Sequence, residues 1–553
     1  MILGKDNIER LPPPVGTSDW ARFSRDSYCV DKTLMIKDLI DTETRVALFT
    51  RPRRFGKTTA MEMIRAFYED DASLFHDKQI WAAGEKYRAE QGAHPVIFLS
   101  FKDVKQQTAE EAFTRLAAVI GGEVARFSDA VAGGLTDGGK RNSLDRVMRR
   151  QGTRDELAES LGLLAEAIEA HRKQKPVILI DEYDQPITTA SVNGFYDEMC
   201  VFMRVFLSGA LKDNKHCHMG LMTGVLRVAK EGILSGLNNL KVWTVFDEPF
   251  SQYFGFTEDE VETMAKYYGA ADKMPEIKQW YDGYDFGGTE IYNPWSVLQY
   301  FDRNCKPDAY WLDTSSNDII TEIVRDLPHD MVRTLEALLR GETPWVPMAK
   351  DLGPYRDIRK NKSALYALLV SSGYLKVCSP IQEGACKVAI PNHEIAQVFM
   401  GDIKRKIDNA MEVGTGDIVG ALLDRDPQAL RQAIASFLLE SVSYFDSAAE
   451  GFYHGLTLGF LAVLRKRFRV LSNGESGEGR FDIALKPLVE PFPAFIIEVK
   501  KADSPDADLK QLAREAREQI DGKQYDATFR AEGISDIEKI GLAYCKSKVE
   551  ICH

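Results

Sequence analysis

The sequence has no paired cysteines. Its eight, at 29, 200, 217, 305, 378, 386, 545 and 552, are scattered and form no C-x-x-C pair. That spacing argues against a disulfide framework and against a structural zinc site. A reducing cytoplasm is the compartment it fits. Long apolar runs are missing too. None approaches the roughly 18 residues that cross a bilayer, and the opening Met1-Ile2-Leu3-Gly4-Lys5-Asp6 has no signal-peptide apolar region. Basic charge is also scarce. The net charge is −13 at pH 7, so any nucleic acid would have to be met by local basic patches. Apolar content of 44% with 28% charged residues excludes a mainly disordered chain. A length of 553 residues implies two to four domains, because single cores rarely grow past roughly 250–300 residues.

What is present begins with Arg45-Val46-Ala47-Leu48-Phe49-Thr50-Arg51-Pro52-Arg53-Arg54-Phe55-Gly56-Lys57-Thr58. An apolar run enters a short basic loop that ends in Gly-Lys-Thr, and a helical pattern follows through Asp71. Strand, loop and helix are the setting in which Gly-Lys-Thr reads as a phosphate-binding loop. Backbone N–H groups at the helix start face phosphate oxygens, and the helix dipole favours their charge. Lys57 would reach the β- and γ-phosphates of ATP, and the Thr58 hydroxyl would hold Mg²⁺. Arg54, Phe55, Gly56 and Thr59 complete the candidate nucleotide loop. Arg51 stands where the usual pattern has its first Gly.

Downstream, Pro95-Val96-Ile97-Phe98-Leu99-Ser100-Phe101 reads as a buried strand and residues 108–170 as mostly helical, with a Gly-rich break at 133–139. Pro176-Val177-Ile178-Leu179-Ile180-Asp181-Glu182-Tyr183-Asp184 reads as a strand buried on both faces with carboxylates at its end. Such carboxylates are costly without a cation or hydrogen-bond donors. This is the shape of a Walker-B strand, with Asp181 binding Mg²⁺ and Glu182 activating the attacking water. Met219-Gly220-Leu221-Met222-Thr223-Gly224 is a third strand. Thr223 at its end could sense the γ-phosphate, with Arg227 and Lys230 just beyond, or all three could be ordinary loop residues.

Several blocks resemble a bacterial and archaeal family of AAA-like ATPases fused to a PD-(D/E)XK nuclease-like domain. They are Val15-Gly16-Thr17-Ser18-Asp19, Tyr28-Cys29-Val30-Asp31-Lys32-Thr33, the basic loop at Thr50–Thr58, Ile180-Asp181-Glu182-Tyr183-Asp184, Ser235-Gly236-Leu237-Asn238-Asn239-Leu240, Trp280-Tyr281-Asp282-Gly283-Tyr284 and Tyr292-Asn293-Pro294-Trp295-Ser296. Arg51 in the first Gly position is itself characteristic of that family. Leu226 departs from it, where a small or polar residue is more usual. The resemblance implies an α/β chain: an additional-strand P-loop ATPase domain over residues 1–256, a helical lid and linker over 257–430, and a nuclease-like α/β domain over 431–553. Within the lid, Thr257 and Glu260 form a capping-box pattern, and the aromatics from Trp280 to Trp295 could pack over the nucleotide or, as aromatics at such spacing more often do, fill a small core.

Near the C-terminus, Gly479-Arg480-Phe481-Asp482-Ile483-Ala484-Leu485-Lys486-Pro487 precedes Ala494-Phe495-Ile496-Ile497-Glu498-Val499-Lys500-Lys501. Glu498 and Lys500 share one face of a strand, and a hairpin would bring Asp482 alongside. Asp, then Glu-x-Lys, suits phosphodiester hydrolysis. Two carboxylates gather Mg²⁺ or Mn²⁺, the metal stabilises charge on the phosphate and helps deprotonate water, and Lys500 can position that water or stabilise the developing negative charge. A helix from about Val442 to Arg467 would carry Glu450, a candidate metal ligand, with His454 as its neighbour on the same face. Gln519, Lys523 and Tyr525 follow the Glu-x-Lys strand. In the family the equivalent Gln and Lys flank the active site; on the residues alone they could equally be a solvated polar face. Arg465-Lys466-Arg467-Phe468-Arg469 could touch a nucleic-acid backbone or end the helix in solvent.

The expected protein thus binds and hydrolyses ATP to gate or drive a metal-dependent nuclease acting on nucleic acid, DNA in the first instance, in defence or DNA processing. The alternative is a nucleotide-controlled binding switch whose C-terminal domain does not cut. A third reading is a small-molecule kinase. Candidates for an arginine finger are Arg51, Arg53, Arg54, Arg204 and Arg227, and a finger from a neighbouring copy would imply a homo-oligomer. No membrane partner is expected.

Overall fold

The computed structural model describes residues 2–3, 9–69, 72–227, 233–234, 237, 239–311, 334, 337–338, 341–349, 361–397, 416–441, 450–461, 464, 468–488, 492–502, 504 and 506–553. The chain divides into two compact units, Met1–Met400 and Gly401–His553.

In the first unit, five strands form one parallel sheet: β1 (Val46–Thr50), β2 (Val96–Ser100), β3 (Val177–Asp181), β4 (Met219–Gly224) and β5 (Leu240–Trp243), in the order β2-β3-β4-β1-β5. Every residue of β1, β3 and β4 is buried, as near-continuous apolar runs demand when helices cover both faces. β4 lies between β1 and β3, which is the additional strand that the resemblance implies. Because the strands are parallel, the ends carrying Thr50, Ser100, Asp181 and Gly224 all fall on one edge.

Helix α1 (Lys57–Glu69) leaves the loop after β1 and buries Met61, Ile64 and Phe67. The 108–170 segment folds into four helices. The first, α2 (Ala109–Arg126), is capped by the Thr108 side chain, and the last, α3 (Arg154–Arg172), starts with a capping box made by Thr153 and Glu156.

Residues 257–397 begin as expected. Thr257 and Glu260 close a capping box on a helix, and Lys32 reaches Glu260 at 2.6 Å. Beyond its helices this region carries a hairpin, β6 (Tyr284–Phe286) with β7 (Thr289–Ile291), and a small antiparallel sheet of β8 (Trp345–Pro347), β9 (Lys376–Val377) and β10 (Ala385–Ala389). Tyr281, Tyr292 and Tyr300 fill its core.

The second unit is a mixed five-stranded sheet in sequence order: β11 (Phe468–Ser476), β12 (Gly479–Pro487), β13 (Ala494–Lys501), β14 (Ile537–Cys545) and β15 (Lys548–Cys552). All neighbours are antiparallel except β13 and β14, whose parallel pairing needs a crossover. Helix α4 (Leu509–Gly522) supplies it. Its backbone lies so close to β14 that a Cβ on Gly541 would come 2.1 Å from the Ala513 carbonyl oxygen. Helices Gly416–Leu423, Pro427–Ser441 and α5 (Glu450–Leu461) share an apolar core with β11–β15. No described helix is long and apolar enough to cross a membrane.

Candidate active sites

The first site forms on the edge where the parallel strands end. Asp181, the last residue of β3, is fully buried and is held from three elements. Thr58 Oγ1 at the start of α1 donates to its Oδ2 at 2.7 Å, Thr223 Oγ1 at the end of β4 donates to Oδ1 at 2.5 Å, and Ser100 Oγ at the end of β2 lies 3.5 Å from Oδ2. Glu182 follows in a left-handed backbone conformation, φ 52°. Burial pushes its pKa up, and nearby Lys57 opposes that shift. Lys57 Nζ is itself buried and donates to the carbonyls of Arg51 at 3.0 Å and Pro52 at 2.8 Å. Burial lowers its pKa, against Glu182 and Asp181. Gly56, at φ 77°, turns the loop into the helix, and a Cβ there would meet nothing within 4 Å. The backbone beside Lys57 is therefore open to a ligand.

A cavity of about 510 Å³ opens over this loop, within the range of small-molecule sites. Gly56, Lys57, Thr58, Thr59 and Glu182 line one part, and Trp20, Phe23, Met63, Phe256 and Leu298 make an apolar wall. Six basic side chains, Lys32, Arg53, Arg54, Lys57, Lys102 and Lys105, line it against the carboxylates of Asp103 and Glu182. An apolar wall beside a cationic loop fits a nucleotide with its phosphates at the α1 N-terminus, and the Thr58–Asp181 oxygen pair fits a hard cation.

The sequence-predicted loop residues separate into two groups. Arg54, Gly56, Lys57, Thr58, Thr59 and Glu182 line the cavity, and the Arg54 guanidinium lies 4.2 Å over the Trp295 ring, which lines it too. Phe55, Asp181, Thr223 and Arg227 are not among its lining residues. Phe55 is fully buried and packs edge-on to Tyr284 at 4.8 Å, anchoring the loop to the β6–β7 hairpin. Asp181 and Thr223 lie behind Thr58. Arg227 is half-buried beyond the β4 turn.

Among the finger candidates, Arg53 and Arg54 line the cavity, and Arg204 is exposed on the helix Tyr196–Leu211. Arg51 is fully buried. Its Nη1 donates to the carbonyls of Thr50 at 2.9 Å and Trp243 at 3.0 Å, and its guanidinium sits over Phe254 and Phe286. Burial brings its pKa down to about 9. Arg51 is thus a strut in the core beneath the loop.

Sequence reasoning missed Ser100, Tyr183 and Asp184. Asp184 Oδ2 accepts from the Val225 and Leu226 N–H groups at 2.9 and 2.8 Å, and Tyr183 Oη donates to the Leu226 carbonyl at 2.7 Å. Together they clamp the turn after β4. The available signal was a second aspartate three residues after Asp181.

The second site lies in mid-sheet. The antiparallel register that pairs Ile483 with Ile497 sets Asp482 beside Glu498. Each carboxylate uses the other strand's backbone: Val499 N–H donates to Asp482 Oδ2 at 2.8 Å, and Asp482 N–H donates to Glu498 Oε2 at 3.4 Å. Gln519 on α4 donates to Glu498 Oε1 and lies 3.3 Å from the Tyr525 hydroxyl. Lys500, half-buried, is two residues beyond Glu498 and so on its face. His454 Nε2 donates to the Asp482 carbonyl at 3.1 Å, with Ser472 Oγ at 3.3 Å. It is a neighbour of the site. Glu450 opens α5, and its side chain lies outside the described residues, as do residues 442–449 and 465–467 with most of the basic cluster. Lys523 is exposed past the end of α4, where its backbone carbonyl accepts from Glu478 N–H at 2.8 Å. Two oxygen donors fixed side by side fit a hard divalent cation.

The fold and the first site define a P-loop NTPase, joined to a second α/β unit that carries an Asp…Glu-x-Lys set. Residues 14–234 belong to the AAA-ATPase-like family, described as Predicted AAA-ATPase, and residues 448–553 belong to the PD-(D/E)XK nuclease superfamily. A curated relative from Azotobacter chroococcum, described as an uncharacterized protein in the vnfD 5′ region, is 25% identical over 569 residues, spanning 98% of this chain and 97% of its own. A solved STAND signal-transduction ATPase with a tetratricopeptide repeat sensor, from Pyrococcus horikoshii, matches 82% of this chain at 14% identity. The match spans about half of that protein, 53%, with a TM-score of 0.25.

Proposed function

We propose that the chain binds and hydrolyses ATP and that the nucleotide controls a metal-dependent nuclease acting on DNA. In this reading residues 1–256 hold the nucleotide, 257–430 serve as lid and linker, and 431–553 cut. Lys57 exchanges its loop carbonyls for phosphate oxygens, and Arg53 and Arg54 add positive charge. Thr58 and Asp181 would hold Mg²⁺, which would neutralise phosphate charge. Glu182, its pKa raised by burial, takes a proton from the attacking water. In the second unit Asp482 and Glu498 would hold Mg²⁺ or Mn²⁺, Gln519 fixes the Glu498 carboxylate, and Lys500 orients water or stabilises charge on the scissile phosphate. A role in defence or DNA processing would follow from such coupling.

The observation that carries the reading is the cross-tied pair Asp482 and Glu498, with Lys500 on the same face, in a chain that also holds the Lys57–Thr58–Asp181 set. The test is nicking of supercoiled plasmid and single-stranded DNA with Mg²⁺ or Mn²⁺, comparing wild type with Glu498→Ala. Metal-dependent cutting lost in the variant is expected. No cutting by wild type, with ATP hydrolysis intact, would overturn the nuclease assignment for DNA and leave the binding switch.

A further inference from the structure

We propose that Glu90, His94 and His218 form a binding site for a borderline divalent cation, Zn²⁺ first, on the sheet edge opposite the nucleotide cavity. The parallel sheet brings them together. His94 lies just before β2 and His218 just before β4, the two strands that flank β3, while Glu90 lies in the turn before His94. One ligand atom from each residue lies within 4.8 Å of the other two. Glu90 Oε2 is 3.3 Å from His94 Nε2 and 3.9 Å from His218 Nε2. Tetrahedral Zn²⁺ with bonds near 2.0–2.1 Å separates its ligands by about 3.3 Å, so the Glu90–His94 spacing already fits and the His218 ring must move in.

Two further observations point to an ion. His94 Nδ1 is 2.8 Å from the Lys175 carbonyl. Donation to that carbonyl fixes the proton on Nδ1 and leaves Nε2 as a lone pair directed at Glu90, the arrangement metal-bound histidines use. Glu90 Oε2 is buried and carries no hydrogen bond among the described residues, an expensive state for a carboxylate oxygen. The two imidazoles stack at 3.7 Å between centroids, a poor arrangement for two cations, and a rotation of the His218 ring must accompany binding for both Nε2 lone pairs to meet one ion. Tyr68 packs edge-on to both rings at 5.6 and 6.3 Å and walls the site. Two histidines and a glutamate are a recognised Zn²⁺ donor set that leaves a fourth position for water. Bound there, the ion would tie the starts of β2 and β4 across β3. The scattered cysteines spoke only to thiolate sites, so this one was invisible to that argument.

The plain rival is a Glu90–His94 ion pair with His218 stacked by chance. Elsewhere in the same unit His216 Nδ1 sits 2.6 Å from Glu169 as such a pair, which supplies a control. The experiment strips the full chain with chelator, titrates it with Zn²⁺ by calorimetry, and titrates Co²⁺ by visible absorption. It is run in an Asp482→Ala/Glu498→Ala background to remove the oxygen site of the second unit. One ion per chain is expected, with the intense visible bands of low-coordinate Co²⁺. His218→Gln and Glu90→Gln should each weaken binding by at least about tenfold, with His216→Gln unchanged. Equal melting temperatures of all variants in chelator would show that they fold. Absence of stoichiometric Zn²⁺ binding, or equal binding in His218→Gln and Glu90→Gln, would overturn the proposal.

Discussion

The two acidic sites solve the same problem in different ways. Asp181 is wholly buried and draws hydroxyl donors from the ends of two neighbouring strands and the start of a helix. Asp482 is half-buried and, with Glu498, draws on the backbone of the paired strand. The first site is a meeting point of distant segments, as parallel strand ends dictate. The second is a property of one hairpin, reinforced by Gln519 from a helix. A site of the first kind should tolerate little loss at any member. A site of the second kind should be graded, with its core pair indispensable and its outer support less so.

The largest expected effect falls on the first site. Glu182→Gln should lower the ATP turnover rate by about 10²–10⁴-fold while ATP still binds, as a single-turnover assay beside a binding titration would show. Retained turnover would remove Glu182 from the chemistry. Gln519→Ala should weaken metal binding in the second unit by about 10–100-fold, measured as the Mg²⁺ or Mn²⁺ concentration needed for half-maximal nicking. A loss as complete as that of Glu498→Ala would break the graded picture. Gly541→Val forces a side chain against the Ala513 backbone and should cost about 1–3 kcal/mol. Denaturant unfolding that shows no loss would mean that α4 is not so closely seated.

A pH-dependent effect concerns Glu394, another buried carboxyl, which accepts from Trp311 N–H at 2.8 Å and from Ser296 Oγ at 2.9 Å. Burial raises its pKa from 4.5 to about 8. Below pH 4.5 it is protonated whether folded or unfolded and is neutral in its effect. As pH rises from 4.5 to about 8 the unfolded chain ionises first, so stability falls, by at most about 1.4 kcal/mol per pH unit. Above that range the loss is constant. Glu394→Gln should remove this slope. Melting temperatures of the two proteins that run parallel between pH 5 and 8 would contradict it.

Local patterns were legible where chemistry sits within one segment. The Gly56-Lys57-Thr58 loop, the end of β3 and the Asp482…Glu498-x-Lys500 spacing could each be read because strand and loop periodicity fix their geometry within a few residues. Contacts between segments were not legible. Phe55 turns into the core because Tyr284 and Phe286 wait there, and nothing in the loop's own composition says so. Arg51 could be noticed as an anomaly, but its burial depends on the Trp243 carbonyl at the end of β5. Ser100 became part of the site only when β2 paired with β3. The same holds for His218, which meets Glu90 and His94 only through the strand order.

The most direct test of the account is the rate of plasmid nicking with and without ATP in wild type, Lys57→Ala and Glu182→Gln. The account expects nicking by wild type to respond to ATP, Lys57→Ala to lose the response, and Glu182→Gln to hold the ATP-bound rate after wild type has exhausted its nucleotide. Equal nicking by all three proteins, with and without ATP, would contradict control of the second site by the first.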